Sequence, residues 1–349
     1  MNPVPNNPGF DLTINQRTPC HVPSGTTLLT ALNKQGIFIP SACGGHGACG
    51  LCKVRLDRDA APELTPKEIW HLTEDERRSG MRLACQVPVR QNLAVTIPES
   101  FLSASEYQAE VSAIRDLTHD IRELELRLLQ PPALTFKAGQ YIQFQIPRYE
   151  QVKQVSFRPY SIASAPSRAD RIELEIRYMP HGLGTTYIFK HLKPHDPVKF
   201  HGPHGDFCLR DSSRDVLLIA GGSGMAPMKS ILEDMRKKQD RRTTRFYFGA
   251  VSRRDLFLTG AMQQLETDLP DFKFIPALSQ PVPADAWNGE TGLITEVIEQ
   301  HIRPGQPADA YLCGSPGMID ACLEVLKRKG IPGDHIFYDK FTKSTPGGT

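Results

Sequence analysis

Hydrophobic and polar positions change their spacing twice along the chain, and these changes divide it into three parts. Residues 9–98 hold short alternating runs, a loop rich in Gly and Cys, and one helical segment. After a linker-like stretch at 99–107, residues 108–210 show the period-2 alternation of strands. Residues 211–349 alternate continuous apolar runs with helical patterns. The chain is therefore predicted to be a multidomain protein with α+β and α/β parts.

The helical segment of the first part carries two capping patterns. Thr65 with Glu68 predicts a helix start with a capping box, and Thr73 with Glu76 repeats the pattern. The segment is therefore predicted to form two short helices. The run "RLACQVPV" that follows predicts a strand carrying Cys85.

The middle and last parts predict different sheets. In "AGQYIQFQIP" the alternation places Ile142, Phe144 and Ile146 on one face, and "RIELEIRYM" alternates in the same way. Several such strands between Pro and Gly turns predict a small antiparallel β-barrel. In the last part, "VLLIA" is a continuous apolar run typical of buried parallel strands. Further strands then alternate with helices, which predicts a doubly wound parallel sheet. The later strands are "TRFYFGA", "FKFIPAL", "DAYLCG" and "HIFYD". The first helix follows the glycine-rich turn and ends near Lys238, and the others lie near 259–267, 293–302 and 316–329.

Composition excludes several classes of function. The 349 residues include 41 basic and 39 acidic side chains, a net charge of +2, which argues against a nucleic-acid or membrane-surface binder. No apolar run approaches the ~20 residues of a membrane helix, and the start of the chain lacks an apolar signal segment. We therefore expect a cytoplasmic protein with no membrane span and no nucleic-acid partner.

Four cysteines are distinguished by their spacing. Cys43, Cys49 and Cys52 share one Gly-rich loop, and Cys85 follows 33 residues later. A zinc ion, a disulfide, a reactive thiol and an iron–sulfur cluster are all candidates, although cytoplasmic disulfides are rare. A zinc site normally has two C-x2-C pairs, and this chain has one. A Rieske centre needs two His ligands, and His46 stands alone.

The turn after "VLLIA" suits a nucleotide phosphate. It runs from Gly221 to Pro227 with the spacing G-x-G-x-x-P, between a buried strand and a helix. Glycines let the backbone approach a pyrophosphate, and the helix start offers free N–H groups. Gly222, Gly224, Met225 and Pro227 are the candidate contacts. The alternative is a tight strand–helix connection that binds no ligand.

Two stretches of the middle part could hold a second nucleotide. The first is the run Arg158, Pro159, Tyr160 and Ser161. Its Arg can pair with a phosphate, its Tyr can stack on a flat ring, and its Ser can donate to a ring nitrogen; the alternative is an ordinary strand with a packed Tyr. In the second, "HGLGTTYIF", the candidates Gly182, Thr185 and Thr186 either bind a phosphate or only cap a helix.

Five motifs occur in order along the middle and last parts. They are R-x-Y-S, G-x-x-T-T, G-P-x-G-x-F at 202–207, G-x-G-x-x-P, and C-G-x-P at 313–316. This ordered set resembles that of the ferredoxin–NADP reductase-like flavoproteins, over roughly residues 108–341. The resemblance implies a FAD-binding barrel at 108–210 and a NAD(P)-binding α/β domain at 211–349.

The same resemblance implies how the middle part would hold FAD. Arg158 would pair with the pyrophosphate, Tyr160 would pack on the isoalloxazine, and Ser161 would reach towards N5. Thr185 and Thr186 would hold a FAD phosphate. Pro159, Gly182 and Arg177 complete the expected flavin contacts.

For the nicotinamide cofactor, the resemblance implies that the glycine-rich turn holds its pyrophosphate. Cys313 and Gly314 would lie where nicotinamide C4 meets flavin N5. Phe341 is the expected aromatic residue near the flavin ring, with Tyr338 as the alternative, although Phe341 could equally be a packed strand residue. Ser161, Cys313 and Phe341 are thus the catalytic candidates.

The cysteine loop resembles that of plant-type 2Fe-2S ferredoxin domains. The usual first spacing is C-x4-C, and this chain has C-x5-C. However, "ACGGHGACGLC" with "RLACQ" resembles the F subunit of the sodium-pumping NADH:quinone reductase and some oxygenase reductases, where the longer gap occurs. The resemblance implies a β-grasp domain over 9–98 with the metal ligands Cys43, Cys49, Cys52 and Cys85. Cys20, Cys208 and Cys322 are expected to be small buried side chains.

The three parts together resemble the NADH-dependent reductase component of bacterial multicomponent monooxygenases of the soluble diiron type. The resemblance implies electron transfer from NADH through FAD and one 2Fe-2S cluster to a partner oxygenase (the hydroxylase component), by a monomer. Segments such as "GGSGMAPM" and "GETGLI" also resemble the sodium-pump F subunit. That subunit carries an N-terminal membrane helix, whereas this chain starts with mostly polar residues, so a soluble reductase is expected.

Three alternatives remain open at this point. The chain could be an electron-input subunit docked to a membrane redox complex, the reductase of an aromatic-ring dioxygenase, or a redox sensor that uses its cysteines as a metal switch. The choice of NADH over NADPH is also open. Arg253 or Arg254 could meet a 2′-phosphate, whereas Asp255 could meet a free 2′-hydroxyl; the resemblance to the sodium pump favours NADH.

Overall fold

Within the described residues, the chain forms three separate sheets, of five, six and six strands. The structure is a computed structural model, and it describes residues 9–41, 43–57, 62–102, 104–150, 152 and 155–341. The three sheets confirm the predicted fold classes. The domain boundaries given above stay predictions.

The first domain has the β-grasp arrangement that was expected. Its strand order is β2-β1-β5-β3-β4, with β1 parallel to β5 and the other pairs antiparallel. Helix α1 packs its buried face on this sheet. The elements are β1 Gly9–Ile14, β2 Cys20–Pro23, α1 Leu28–Lys34, β3 Lys53–Leu56, α2 Pro66–His71, α3 Glu74–Arg78, β4 Met81–Leu83 and β5 Leu93–Thr96.

The two predicted short helices are confirmed, and each has its capping box. Beneath α2, Glu68 and Arg82 form a buried bidentate ion pair, with both N–O distances 2.8 Å. The Leu83 N–H donates to the same carboxylate at 3.0 Å. These bonds fix α2 to β4 just before Cys85.

The prediction that Cys85 lies in a strand is wrong. Strand β4 ends at Leu83, and Cys85 lies in a single 3-10 turn, Ala84–Gln86. The Ala84 N–H donates to the Cys52 carbonyl at 2.8 Å. This bond continues the β3–β4 pairing by one residue, and the chain then leaves the sheet in the turn that carries Cys85.

The stretch predicted to be a linker contains secondary structure in its described part. Helix α4 spans Glu99–Leu102, and β6 already begins at Ser105. Phe101 packs against the core of the first domain and also meets the His204 ring edge-on, with centroids 6.3 Å apart. The segment therefore contacts both domains that it joins.

The second domain is the predicted antiparallel barrel. Its strand order is β10-β7-β6-β11-β8-β9, and a bridge between Ile162 and Leu174 joins its two ends. Ile142, Phe144 and Ile146 all face its core, as predicted. The elements are β6 Ser105–Asp116, β7 Ile121–Gln130, β8 Tyr141–Ile146, β9 Ser156–Ser161, β10 Arg171–Arg177, α5 Leu183–Lys190 and β11 Pro197–His204.

The third domain is the predicted doubly wound domain, with an all-parallel sheet of order β15-β14-β13-β12-β16-β17. Val216 and Leu218 on β12 pack under α6 and α7, while Leu217 and Ile219 pack under α8 and α9. The elements are β12 Asp215–Gly221, α6 Met225–Lys238, β13 Thr244–Ala250, α7 Thr259–Asp268, β14 Phe272–Leu278, β15 Glu290–Thr291, α8 Ile294–His301, β16 Ala308–Gly314, α9 Pro316–Arg328 and β17 Ile336–Lys340. The strand order reverses between β12 and β16, which is where such sheets bind ligands.

No helix within the described ranges is long and apolar enough to cross a membrane.

A buried charge cluster joins the barrel to the third domain. Lys229 on α6 lies 2.8 Å from Glu173, 3.3 Å from Glu123 and 3.8 Å from Glu175. Neither carboxylate oxygen of Glu175 has a hydrogen-bond partner among the described residues. Burial raises the pKa of Glu175 to about 8, and the charges on Glu123 and Glu173 add to this effect against the attraction of Lys229. One lysine is thus shared by three buried carboxyl groups, of which Glu175 stays protonated at neutral pH.

We expect Glu175 to make the protein less stable as the pH rises from about 4.5 to 8. In this window the unfolded chain releases a proton that the folded chain keeps, so folding becomes less favourable. Glu175→Gln should remove this slope and raise the free energy of unfolding above pH 8 by on the order of 1–5 kcal/mol. Thermal unfolding at several pH values measures both effects.

Glu173→Gln is the control of opposite sign, because it removes a carboxylate bonded to Lys229. An unchanged slope in Glu175→Gln would contradict the assignment.

Candidate functional site

The four cysteines predicted to be metal ligands come together as two pairs. The Cys49 thiol donates a hydrogen bond to the Cys43 sulfur, and the Cys52 thiol donates one to the Cys85 sulfur. Charge on Cys43 raises the pKa of Cys85, and charge on Cys49 raises the pKa of Cys52, so the two pairs lie close to each other. Cys49 is half-buried and the other three are buried.

Backbone N–H groups of the loop point at these sulfurs. The Cys43 sulfur accepts from Gly45, Ala48 and Cys49, and the Cys85 sulfur accepts from Gly47. The Cys49 thiol bond is the main reason why the pKa of Cys43 falls to about 4, and the Cys52 thiol similarly lowers the pKa of Cys85 to about 7. The two donating thiols have raised pKa values. Within each pair, one sulfur therefore loses its proton more readily than the other.

This arrangement fits a 2Fe-2S cluster, in which each of two irons takes two thiolates. The loop glycines Gly44, Gly45, Gly47 and Gly50 all have positive φ, between +68° and +92°, which lets the loop turn its N–H groups inward. Across the described residues, no group of three or more His, Cys, Asp or Glu side chains surrounds a single-ion site. His46 is exposed, as expected.

The expected flavin residues lie on β9 next to the start of α5. A Cβ at Gly184 would lie 2.7 Å from the Arg158 side chain and 3.1 Å from the Tyr160 hydroxyl, so the helix start touches both residues. No side chain caps α5 at Gly182. The Arg158 side chain and the start of α5, which has no side-chain cap, thus converge, which fits a pyrophosphate. Burial raises the pKa of Tyr160, so its phenol is neutral.

The two threonines contribute differently from what the sequence predicts. The Thr185 hydroxyl donates to the Met179 carbonyl at 3.0 Å and accepts from the Met179 N–H at 3.1 Å. It therefore fixes the loop before α5, and its backbone N–H is the group left for a phosphate. Thr186 is half-buried, and its N–H donates to the Gly182 carbonyl at 2.8 Å.

The other expected flavin contacts are on β9 and at the end of β10. Ser161 is buried and lies opposite Tyr141 in the β8–β9 ladder. Pro159 on the same strand is exposed. Arg177 donates to Asp120 at 2.6 Å, and a Cβ at Gly222 would lie 2.8 Å from its guanidinium. Arg177 therefore links the barrel to the glycine-rich turn.

The glycine-rich turn meets the end of β16. Gly222–Gly224 form a 3-10 turn, and α6 starts at Met225 without a side-chain cap, with Pro227 buried in its first turn. A Cβ at Gly224 would lie 2.3 Å from the Cys313 carbonyl oxygen, so only Gly fits there. The turn thus presents its amides at the carboxyl end of the sheet, which fits a dinucleotide pyrophosphate.

Cys313, Gly314 and Phe341 are neighbours at the same edge. The Phe341 N–H donates to the Gly314 carbonyl at 2.8 Å, and its ring packs on the core under α6. Cys313 is fully buried, and burial, with the charge of Asp339, keeps its pKa well above the usual value. Its sulfur is therefore a neutral thiol. Tyr338 is exposed instead, with Lys340 over its ring.

Two of the three residues expected to distinguish NADH from NADPH form hydrogen bonds within the protein. The Asp255 carboxylate accepts two hydrogen bonds of 2.8 Å from Ser252. Arg253 donates to the Asp285 carbonyl. Arg254 is exposed.

Sequence reasoning missed a polar patch on the outer face of the barrel. Tyr141 and Gln143 alternate with the core residues of β8 and look like solvent-facing positions, yet Gln143 is fully buried. His201 and His204 on β11 are buried beside them. Period-2 alternation identifies the outer face of a sheet, but it does not show that another domain covers that face.

Three family models match the chain, one for each domain. They describe a 2Fe-2S iron-sulfur cluster binding domain at 12–90, an oxidoreductase FAD-binding domain at 108–208 and an oxidoreductase NAD-binding domain at 218–324. Together with the fold, they define an electron-transfer oxidoreductase that binds NAD, FAD and a 2Fe-2S cluster.

Relatives match over nearly the whole chain. The F subunit of the Na(+)-translocating NADH-quinone reductase of Klebsiella pneumoniae is 33% identical, and the match covers 91% of this chain and 88% of that relative. Its counterpart in Methylococcus capsulatus is also 33% identical, covering 95% and 91%. The chain belongs to the family of iron–sulfur flavoprotein reductases that these F subunits represent.

Solved structures of two reductases share the whole architecture. The Amycolatopsis cytochrome P450 reductase GcoB superposes with a TM-score of 0.77 at 28% identity, covering 96% of this chain and all of that one. The ferredoxin reductase in carbazole 1,9a-dioxygenase gives 0.72 at 26% identity, covering 96% and 98%.

We expect Gly224→Ala to slow flavin reduction by NADH. The added methyl group would overlap the Cys313 carbonyl, so either the turn or the end of β16 must move. A displacement of this size should lower the rate about tenfold or more. Stopped-flow bleaching of the flavin at several NADH concentrations measures the rate. Gly260→Ala on α7 is the matched control, because nothing lies within 4 Å of its added Cβ. Equal rates in both variants and the parent would show that the turn does not position NADH.

Proposed function

We propose that this protein carries electrons from NADH to a partner oxygenase component. The observation that carries the proposal is the contact between the cysteine loop and the flavin strand: a Cβ at Gly44 would lie 3.7 Å from the Ser156 side chain on β9. A cluster in this loop would lie next to the flavin site, which suits transfer within one chain. The similar whole-length reductases named above serve a cytochrome P450 and a dioxygenase, and this supports an oxygenase as acceptor.

The proposed roles of the flavin residues follow from their positions. Arg158 and the free N–H groups of α5 hold the FAD pyrophosphate, and Tyr160 packs on the flavin. Ser161, at the end of β9, lies by flavin N5. Bound FAD would supply hydride acceptance, and with the 2Fe-2S cluster it would supply one-electron transfer.

The remaining roles concern the nicotinamide and the cluster. The turn from Gly222 to Pro227 holds the nicotinamide cofactor's pyrophosphate. The neutral Cys313 thiol and Phe341 shape the space where nicotinamide meets flavin. The ligand sets are Cys43 with Cys49 on one iron, and Cys52 with Cys85 on the other.

NADH is proposed as the donor because the F subunits are NADH-quinone reductase subunits. Ser252 bonds one carboxylate oxygen of Asp255, so contact with a ribose hydroxyl would need the other oxygen, which lies 3.7 Å from Nδ1 of His119. A monomer in the cytoplasm, where NADH is formed, completes the proposal.

A second candidate function is electron input to a membrane-bound quinone-reducing complex. The 33% identity with the F subunits over 91% of the chain favours it. Copurification with membrane proteins would separate this function from the first.

The visible spectrum tests the proposal. The air-oxidised protein should show flavin bands over a broad 2Fe-2S absorption, and NADH should bleach both under anaerobic conditions. Re-oxidation by an added oxygenase component that accepts its electrons should restore both bands. A colourless preparation, or flavin bands that bleach while the cluster absorption stays, would contradict the proposal. A rate with NADPH about tenfold or more above that with NADH would overturn the choice of donor.

A further inference from the structure

The outer face of the barrel is where the first domain is seated. Strand β11 places His201 opposite Gln143 and His204 opposite Tyr141 in its ladder with β8. Tyr141 is in turn opposite Ser161 on β9. Directly opposed residues on one face lie about 5 Å apart. The row Ser161–Tyr141–His204 therefore connects the flavin strand to one buried histidine, and the neighbouring row through Gln143 connects it to His201.

The two histidines lie at the contact between the domains. His201 is 4% exposed and His204 is 0% exposed. Phe38 of the first domain stacks on the His201 ring, with centroids 4.6 Å apart and planes 16° apart. Phe157 on β9 contacts the same ring at 4.5 Å. The His201 ring is thus in contact with one aromatic ring from each domain.

The histidines form a pair that shares one hydrogen bond. Nδ1 of His201 lies 3.3 Å from Nε2 of His204. The other ring nitrogen of His204, Nδ1, has no partner among the described residues. One N–H satisfies the contact while at least one of the two rings is neutral, whereas two protonated rings would oppose two donors.

Among the residues that the structure describes, no carboxylate bonds either ring of this pair. The titratable groups around it are Tyr141 on β8, Asp206 after β11, and Glu106 on β6, which lies opposite His201 and pairs with Lys199 at 3.5 Å. None of them bonds either ring within the described structure. Burial, together with the neighbouring ring, lowers the pKa of His201 to about 3, and burial lowers that of His204 to about 4.

We propose that His201 and His204 are positioning residues for internal electron transfer: as a neutral pair they hold the iron–sulfur domain against the flavin barrel, and protonation of the pair releases it. This proposal rests on the proposed function. Release would separate the cysteine loop from β9, so electrons would stay on the flavin side.

The direction of the pH effect follows from the buried and exposed states. An exposed histidine has a pKa near 6.5, and the pKa values of the docked pair are lower. Protons therefore bind the released state better than the docked state, so docking is complete above about pH 6.5 and weakens as the pH falls. If release exposes both rings, the docking equilibrium should fall by up to about 500-fold between pH 7 and pH 5. We therefore expect electron transfer from the flavin to the cluster to slow at low pH, whereas flavin reduction by NADH should not.

The test uses the full chain with its cofactors between pH 5 and 8. Stopped-flow spectra give the rates of flavin reduction by NADH and of cluster reduction, and small-angle scattering gives the radius of gyration without any turnover. In the parent protein the cluster rate should fall about fivefold or more at low pH, and the radius should rise. Flavin reduction should change much less.

Variants separate the histidine pair from other acid effects. His201→Phe keeps an aromatic ring between Phe38 and Phe157, and His204→Gln keeps a polar side chain without a basic nitrogen. Each single variant should weaken the pH dependence, and the double variant should abolish it. His195→Asn is the control, because that histidine is on the same domain but its side chain is 82% exposed.

Phe38→Ala disturbs the same contact from the other domain, and it keeps the proposal testable if the histidine variants do not fold. It should slow cluster reduction and enlarge the radius at every pH. Identical pH profiles in the parent and the double variant, or a parent rate that does not change with pH, would overturn the role of the pair. Flavin reduction without any cluster reduction in the parent at pH 7.5 would instead overturn the proposed function.

Discussion

The packing of the cysteine loop against the outer face of the flavin barrel is the contact on which the architecture depends. The loop must turn three sulfurs and several N–H groups inward, and glycines with positive φ make this possible. The same glycines leave a surface without side chains, so Gly44 can approach Ser156 closely. Folding the loop and bringing it to the flavin strand therefore use the same residues.

The three domains converge on Tyr141. Burial raises the pKa of its phenol, and charges from each domain add to the effect: Asp206 on the barrel, Asp339 on the third domain and Cys49 on the first. Tyr141 is also the ladder neighbour of Ser161 and His204. The nicotinamide edge and the cysteine loop are thus both close enough to this one side chain of the barrel for their charges to act on it. The buried Lys229 cluster holds the barrel and the third domain together beside them.

Local sequence patterns predicted what depends on local structure. The alternation through Ile142 and Phe144, the capping boxes and the strand–turn–helix at Gly222 were all correct, because neighbouring residues decide them. The four cysteines that the spacing singles out also come together in the structure, as two pairs. Other details were not predictable in this way: β4 ends at Leu83 and Cys85 lies in the turn that follows, and the Met179 carbonyl engages the Thr185 hydroxyl. The covering of Gln143 by another domain leaves no trace in the period of β8.

The concentration dependence of cluster reduction tests the docked architecture most directly. After anaerobic mixing with excess NADH at pH 7.5, cluster bleaching should follow flavin bleaching with a first-order rate constant. That constant should stay the same over about a hundredfold range of protein concentration, because each cluster receives electrons from the flavin of its own chain. A rate constant that rises in proportion to protein concentration would contradict the account, since the electrons would then pass between separate molecules.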